Sequence, residues 1–126
     1  MPNINQINLQ DIFIARKNIL DIAQITPMVR SDSLSHQYNA DVFLKLETLQ
    51  PIGAFKIRGA ANKILNLTAE EKERGVVTAS TGNHGRAVAY VAKKVGIKAA
   101  VCLSELVPKN KVDALENLGA EVIVQG

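Results

Sequence analysis

Two short runs of residues in this sequence carry groups that can do chemistry. The first run is Gly53-Ala54-Phe55-Lys56-Ile57-Arg58-Gly59-Ala60, and the second is Ser80-Thr81-Gly82-Asn83-His84-Gly85. The first places the primary amine of Lys56 beside an aromatic ring. A lysine amine becomes a useful nucleophile when it is desolvated or joined to an aldehyde, whereas an ordinary lysine is protonated and unreactive at neutral pH. The second run is rich in groups that can bind a carboxylate or a phosphate.

The second run is expected to join a strand to a helix. Its backbone N–H groups would then point outward at the positive end of a helix dipole, which is a geometry that binds anions. It also follows the carboxyl end of a predicted parallel strand, where open α/β sheets place their ligands. Alone, Gly82 and Gly85 would equally suit an ordinary strand-to-helix junction, and Lys56 alone would suit a solvated surface. The two runs together favour a ligand site.

The chain before the site is predicted to form one helix and two strands. Residues 9–20 have helical spacing of apolar residues with Asn8 as the N-cap, so we expect this helix to pack one face on a core. Strands are predicted over 28–30 and 41–47. Residues 50–53 then form a turn, and apolar residues recur with a helical period from Phe55 onward, which places Lys56 in the first turn of a helix.

The remainder of the chain is predicted to alternate strands and helices. Thr68 to Glu71 is a capping box for a short helix that ends at Gly75. The order that follows is a strand over 76–79, a helix over 84–95, a strand over 97–103, a helix from Pro108 to Gly119 and a strand over 121–124. This β-α-β-α-β pattern predicts an α/β fold with a parallel sheet and right-handed crossovers. Because no helix follows the last strand, we expect the chain to be cut inside a domain.

Composition narrows the classes of function. The chain has 126 residues, of which 47% are hydrophobic and 21% charged, which is typical of a globular domain and excludes a disordered tail. The net charge of +3 is spread in mixed-sign runs such as residues 70–74, so nucleic acid is not an expected partner. Neither a secretory signal nor an apolar stretch of roughly 20 residues is present, so we expect a cytoplasmic protein without a membrane partner.

Several other kinds of site are excluded by spacing. The run from Gly53 to Gly59 lacks the ending of a P-loop, and no Gly-x-Gly-x-x-Gly occurs. His36, His84 and Cys102 share no metal-ligand spacing, so no metal site is expected. The lone Cys102 cannot form an internal disulfide, and its apolar surroundings predict a small buried hydrophobic residue.

The two reactive runs resemble the pyridoxal-phosphate site of the serine/threonine dehydratase family, which has fold type II and is also called tryptophan-synthase-β-like. The resemblance extends over nearly the whole chain. The family motif reads Ser-Phe-Lys-x-Arg-Gly-Ala, and this chain has Ala54 where the serine is usual. The resemblance implies that Lys56 holds the cofactor as a Schiff base and moves the α-proton of the substrate. It also implies that Phe55 packs near the pyridine ring and that Asn83 binds the ring hydroxyl.

The resemblance further assigns the substrate carboxylate to the second run. It implies that the substrate is bound, largely through backbone amides, by Ser80, Thr81, Gly82, Asn83 and His84. The His-Gly pair favours dehydratases and serine racemases over cysteine synthases, which typically have Thr-Gly there. Thr81 stands where racemases use a serine hydroxyl for reprotonation.

These implications lead to one predicted function and two alternatives. The predicted function is that of a pyridoxal-phosphate-dependent ammonia-lyase, a homo-oligomer that converts L-threonine, L-serine or a related hydroxy amino acid to a 2-oxo acid and ammonia. The alternatives are a serine racemase and a non-catalytic small α/β binding or interaction module. By resemblance, residues 1–70 belong to the large cofactor-binding lobe and residues 71–126 to the small lobe. The family's phosphate-binding loop and the residue facing the pyridine nitrogen are not in the chain, so we expect it to be inactive by itself.

Overall fold

The computed structural model describes residues 7–125. The expectation that no secretory leader begins the chain falls mainly on residues 1–6, which lie outside the described residues. The helices are α1 (Leu9–Asn18), α2 (Asp32–Tyr38), α3 (Lys56–Leu65), α4 (Ala69–Arg74), α5 (Asn83–Val95) and α6 (Lys109–Asn117). The strands are β1 (Met28–Arg30), β2 (Phe43–Lys45), β3 (Val76–Ala79), β4 (Ala99–Leu103) and β5 (Glu121–Val124), with a 3-10 turn at Glu47–Leu49.

The second half of the chain forms a three-stranded parallel sheet with the strand order β3-β4-β5. Val76 pairs with Ala99, and Ala100 pairs with Glu121. The predicted β-α-β-α-β unit and the α/β fold class are therefore confirmed, with the ends of some elements shifted by one or two residues. Because the strands are parallel, the carboxyl ends of β3 and β4 lie at one edge of the sheet, where α5 begins.

The core is built around the packing of α3 against α5. Ile57, Ala60, Ala61 and Ile64 are buried on α3, which confirms the helical spacing read from the sequence. Val101 of β4 is fully buried in the same cluster. Many of the buried residues of the two helices are alanines. The helix that begins with Lys56 and the helix that begins with Asn83 therefore share one core.

The first part of the chain differs from its prediction at α2. Strands β1 and β2 pair antiparallel, and α2 lies between them. The Ser31 side chain caps the start of α2 by accepting a hydrogen bond from the Leu34 N–H, and Asn39 ends the helix in the left-handed conformation. Seven mostly polar residues give no apolar period, so the sequence reasoning missed this helix. The predicted strand over 41–47 is also too long, because β2 ends at Lys45 and a 3-10 turn follows.

Helix α1 forms where it was predicted, but its packing was predicted wrongly. Asn8 and Asp11 make a capping box at its start. No residue of α1 is buried, and Ile12 is 54% exposed. The apolar side chains of α1 are left largely uncovered by the described residues, and the residue that reaches the core is Ile19, directly after the helix.

Candidate active site

Lys56 is the first residue of α3, and its side chain is exposed. Its Nζ atom lies 4.9 Å from the centroid of the Phe55 ring, which is close enough for a cation–π contact. None of the ion pairs among residues 7–125 involves Lys56. The predicted nucleophile is thus an accessible amine beside an aromatic ring.

The backbone on both sides of Lys56 is fixed by a left-handed glycine and two buried residues. Gly53 has a φ of 69°, a conformation that other L-residues rarely adopt, and its N–H donates to the Gln50 carbonyl at 2.7 Å. Ala54 is 8% exposed and Ile57 is fully buried, so both sides of Lys56 are tied to the core. The family's usual serine would place a hydroxyl at the nearly buried position of Ala54.

A polar cluster lies beside α3 and was not predicted from the sequence. We call it the Arg58 anchor, and it consists of Gln24, Thr26, Glu47, Gln50 and Arg58. Arg58 donates from Nε to Glu47 Oε2 at 2.9 Å and from Nη2 to Glu47 Oε1 at 2.7 Å. The Thr26 hydroxyl donates to Glu47 Oε1 at 2.6 Å. The hydrogen bonds that join the three stretches of the anchor connect residues 11 or more positions apart in sequence, so no local spacing signals it.

The Arg58 anchor strongly favours the ionised form of the Glu47 carboxylate. Hydrogen bonds from Arg58, and smaller ones from Thr26 and Gln50, outweigh the partial burial of Glu47 and lower its pKa from 4.5 to about 2. The Glu47 side chain is 18% exposed and that of Arg58 is 32% exposed. Glu47 and Arg58 therefore form a partly buried two-point ion pair.

The predicted carboxylate-binding run lies at the junction of β3 and α5. Gly82 is the N-cap of α5, and no side chain of the described residues caps this helix. Thr81, Gly82, Asn83 and His84 are exposed, and Ser80 is half-buried. The first N–H groups of a helix have no partner within the helix, so those of α5 are open to an anion. This agrees with the predicted placement of the run at a strand end and a helix start.

The two glycines of this junction have different surroundings. A Cβ atom built on Gly85 would lie 2.7 Å from the Ser80 carbonyl oxygen and 3.2 Å from Val101 Cγ1. A Cβ atom built on Gly82 would meet nothing within 4 Å. Gly85 therefore lets the first turn of α5 press against the end of β3, while Gly82 borders open space.

Three of the candidate site residues line two separate grooves. An open groove of about 530 Å³ lies beyond the carboxyl ends of β3 and β4. Its lining consists of Ala79, Ser80, Thr81, Cys102, Leu103, Ser104 and Gln125. A second groove, of about 240 Å³, lies between α3 and β3 and includes His84 and Lys63. The structure thus brings Ser80 and Thr81 together, places His84 toward α3, and leaves Lys56 outside the lining of both grooves.

Three further sequence expectations concern what the described residues contain. Cys102 is half-buried and lines the first groove, so the prediction of a buried residue was wrong. Residues 7–125 include no group of three or more side chains that could hold a metal ion. In the same span, every helix is too short or too polar to cross a membrane.

Comparison with known proteins places the chain among enzymes that use one cofactor. The sequence profile of a family described as pyridoxal-phosphate dependent enzymes matches residues 19–126. The chain is 46% identical over 126 residues to a putative threonine dehydratase of Sinorhizobium fredii, which covers 100% of this chain and 38% of that protein. It is 42% identical over 120 residues to an L-threonine ammonia-lyase of Thermotoga maritima, covering 95% of this chain and 30% of that protein.

A solved structure agrees with the sequence relatives. The chain superposes on a serine racemase from Dictyostelium discoideum with a TM-score of 0.89 and 37% identity, covering 94% of this chain and 38% of that one. The chain thus spans between 30% and 38% of the length of these proteins. The predicted fold type and the predicted cofactor of the family are both confirmed. On its match to the family profile and its identity to these relatives, the chain belongs to the pyridoxal-phosphate dependent enzyme family.

Proposed function

We propose that the protein is an ammonia-lyase that uses pyridoxal phosphate to convert L-threonine, L-serine or a related hydroxy amino acid to a 2-oxo acid and ammonia. The observation that supports this most directly is the exposed amine of Lys56 beside Phe55 at the start of α3. The threonine dehydratase and threonine ammonia-lyase among the relatives favour the reaction class. Lyase chemistry on an amino acid needs both an amine of this kind and a site for the substrate carboxylate.

The residues present fit the cofactor. Lys56 offers a primary amine that no described carboxylate occupies, Phe55 offers an aromatic face, and the start of α5 offers uncapped N–H groups. We propose that Lys56, Phe55 and Asn83 hold the cofactor. When bound, the cofactor supplies an aldehyde for attachment and a ring that withdraws electrons from the α-carbon of the substrate.

The chain's own groups would bind and orient the substrate and move one proton. Lys56 Nζ accepts the α-proton of the substrate, which requires the amine to be unprotonated at that moment. The substrate carboxylate is held largely through N–H groups at the positive end of α5, by Ser80, Thr81, Gly82, Asn83 and His84. The exposed hydroxyl of Thr81 in the groove beyond β3 favours serine racemase as a second candidate, because a hydroxyl there can deliver a proton to the α-carbon. The chirality of the product distinguishes the two reactions.

The proposal extends to assembly and location. We propose a cytoplasmic homo-oligomer in which residues 1–70 belong to the large lobe and residues 71–126 to the small lobe. The exposed apolar side chains of Phe13, Met28 and Phe43 support contact with further protein. We also propose that the 126 residues alone do not catalyse the reaction, since they correspond to at most 38% of the relatives reported above.

Chemical labelling of the full-length protein tests the proposal. Borohydride reduction with bound pyridoxal phosphate, followed by peptide mapping, should place the phosphopyridoxyl label on Lys56. Lys56→Ala should lose both the label and the visible absorbance band of the bound cofactor, whereas the matched control Lys63→Ala on the same helix should keep both. A label on Lys45 or Lys63 would overturn the assignment. If the wild-type protein takes up no cofactor, a non-catalytic binding module becomes the better description.

A further inference from the structure

The Arg58 anchor joins three separate stretches of the chain. Gln50 is 3% exposed, and its side-chain amide donates to the Gln24 carbonyl at 2.8 Å and accepts from the Gln24 N–H at 3.0 Å. Arg58 Nη2 also donates to the Gln24 carbonyl, at 3.0 Å. Thr26 is 4% exposed and bridges to Glu47. The loop before β1 and the turn after β2 are therefore both tied to the first turn of α3.

Helix geometry links this anchor to the reactive amine. Lys56 and Arg58 are two residues apart in α3, and each helical residue advances by about 100°. Side chains at such positions leave the helix on nearly opposite sides. Contacts that hold the Arg58 side chain in one direction therefore restrain the rotation of α3 about its own axis. The same restraint sets the direction in which Lys56 projects.

The anchor is suited to fixing a rotation because it uses two points. Arg58 contacts both oxygens of Glu47, and a guanidinium held at two points by a carboxylate cannot swivel as an ammonium can. About a quarter-turn around the helix from Arg58, Ile57 is buried in the core and limits sliding of the helix. By contrast, the exposed Lys56 side chain makes no hydrogen bond or ion pair within residues 7–125, and it contacts the Phe55 ring.

We infer that Glu47 and Arg58 are positioning residues, which set the rotation of α3 and so direct the Lys56 amine toward the cofactor aldehyde and the substrate α-carbon. This inference rests on the proposed function, because it takes Lys56 as the reactive group. Neither residue touches the reacting atoms. A purely structural role would affect folding stability but not how the amine reacts once the protein is folded.

The test uses Arg58→Lys in the full-length protein, a change that keeps the charge and removes the two-point contact. Four quantities are measured: the thermal midpoint, the rate at which the visible band appears when pyridoxal phosphate is added to the cofactor-free protein, the circular dichroism of that band per bound cofactor, and kcat with KM. We expect band formation and kcat to fall by about tenfold or more, because small misplacements of a reacting group are costly. The dichroism per bound cofactor should also fall, and KM should change by a smaller factor than kcat, because the substrate-binding groups lie outside the anchor.

Three further variants make the result specific. Arg30→Lys is the matched control, since Arg30 also contacts a carboxylate, that of Asp41, through Nε and Nη2, but on the surface and away from α3. It should leave all four quantities at their wild-type values. Glu47→Gln removes the anchor from its other side and serves if Arg58→Lys does not fold. The double variant should lose less than the sum of the two single variants, because both changes break the same Arg58–Glu47 interaction.

The outcomes separate this inference from the proposed function. If Arg58→Lys and Glu47→Gln lower the thermal midpoint but keep the wild-type rate of band formation, dichroism and kcat, the pair is only structural and the inference is overturned. If the wild-type protein itself forms no visible band, the proposed function fails and the inference fails with it. If the wild-type protein forms the band, and only the anchor variants form it more slowly with lower dichroism and lower kcat, the results support both the proposed function and the inference.

Discussion

The contact of Gly85 with the end of β3 leads to a prediction about a single methyl group. In Gly85→Ala the new Cβ would lie 2.7 Å from the backbone oxygen of Ser80, whereas ordinary contacts begin at 3.4 Å. It would also lie 3.2 Å from Val101 Cγ1, a side chain that is fully buried and cannot swing away. The first turn of α5 must therefore move away from β3 or displace Ser80.

The expected loss of stability follows from two opposing effects. Overpacking a well-packed site costs about 1–3 kcal/mol. Replacing glycine by alanine inside a helix returns about 0.5–1 kcal/mol. Because the clash involves backbone rather than the end of a flexible side chain, we expect a net loss of about 1–2 kcal/mol in the free energy of unfolding. The displaced Ser80 should also weaken substrate binding and raise KM.

Urea unfolding of the full-length protein and two matched variants check this prediction. Gly59→Ala makes the same chemical change in α3, where a Cβ would meet nothing within 4 Å, and should stabilise the protein by about 0.5–1 kcal/mol. Gly82→Ala also has no protein neighbour within 4 Å, but Gly82 is the N-cap of α5, where alanine is less favourable than glycine, so we expect a loss of about 0.5–1 kcal/mol without any clash. If Gly85→Ala proves as stable as Gly59→Ala, the close approach of α5 to β3 is refuted.

Three other predictions concern charge, cofactor binding and association. Because folding lowers the pKa of Glu47 from 4.5 to about 2, its contribution is complete above pH 4.5 and is lost as the pH falls toward 2. Urea unfolding should therefore show Glu47→Gln to be less stable than wild type by about 1–3 kcal/mol near neutral pH, with a gap that closes on acidification; a gap independent of pH would contradict the ion pair. Asn83→Ala should weaken pyridoxal-phosphate binding by about 1–3 kcal/mol and shift the visible band, as measured by absorbance titration; unchanged affinity and spectrum would remove Asn83 from the site. The isolated 126-residue chain should self-associate in light scattering, because side chains such as Leu9, Ile25 and Phe43 are exposed; a monodisperse monomer with a cooperative thermal transition would contradict this.

The parts of the fold that the sequence predicted are those with local signals. The capping box at Thr68, the left-handed Gly96 and the alternation of strands with helices fix the second half of the chain from neighbouring residues alone. Helix α2 has local signals too, in Ser31 and Asn39, but its polar residues hide them. Such signals are read along the chain, so they reveal elements and not their partners.

The features that were missed depend on distant residues. The Arg58 anchor joins Glu47 to an arginine 11 residues later and to a threonine 21 residues earlier, and each residue type is ordinary by itself. The wrong prediction for α1 has the same origin, because helical spacing shows that a helix forms but not that another element covers it. The two candidate runs lie on the elements that the sequence predicted, whereas the separation of Ser80 and Thr81 from His84 depends on packing between α3 and β3, which no local pattern shows.

The buried alanines of α3 and α5 influence the size of the proposed site. Lys56 and Asn83 stand at the first positions of these two helices, and buried side chains such as Ala60, Ala61 and Ala87 allow the helices to lie close together. Under the proposed function, the span between the Lys56 amine and the run at the start of α5 depends on how closely these two helices pack. We then expect one added methyl group between the helices to widen this span and to change the size of substrate that fits, while the proposed binding residues stay the same.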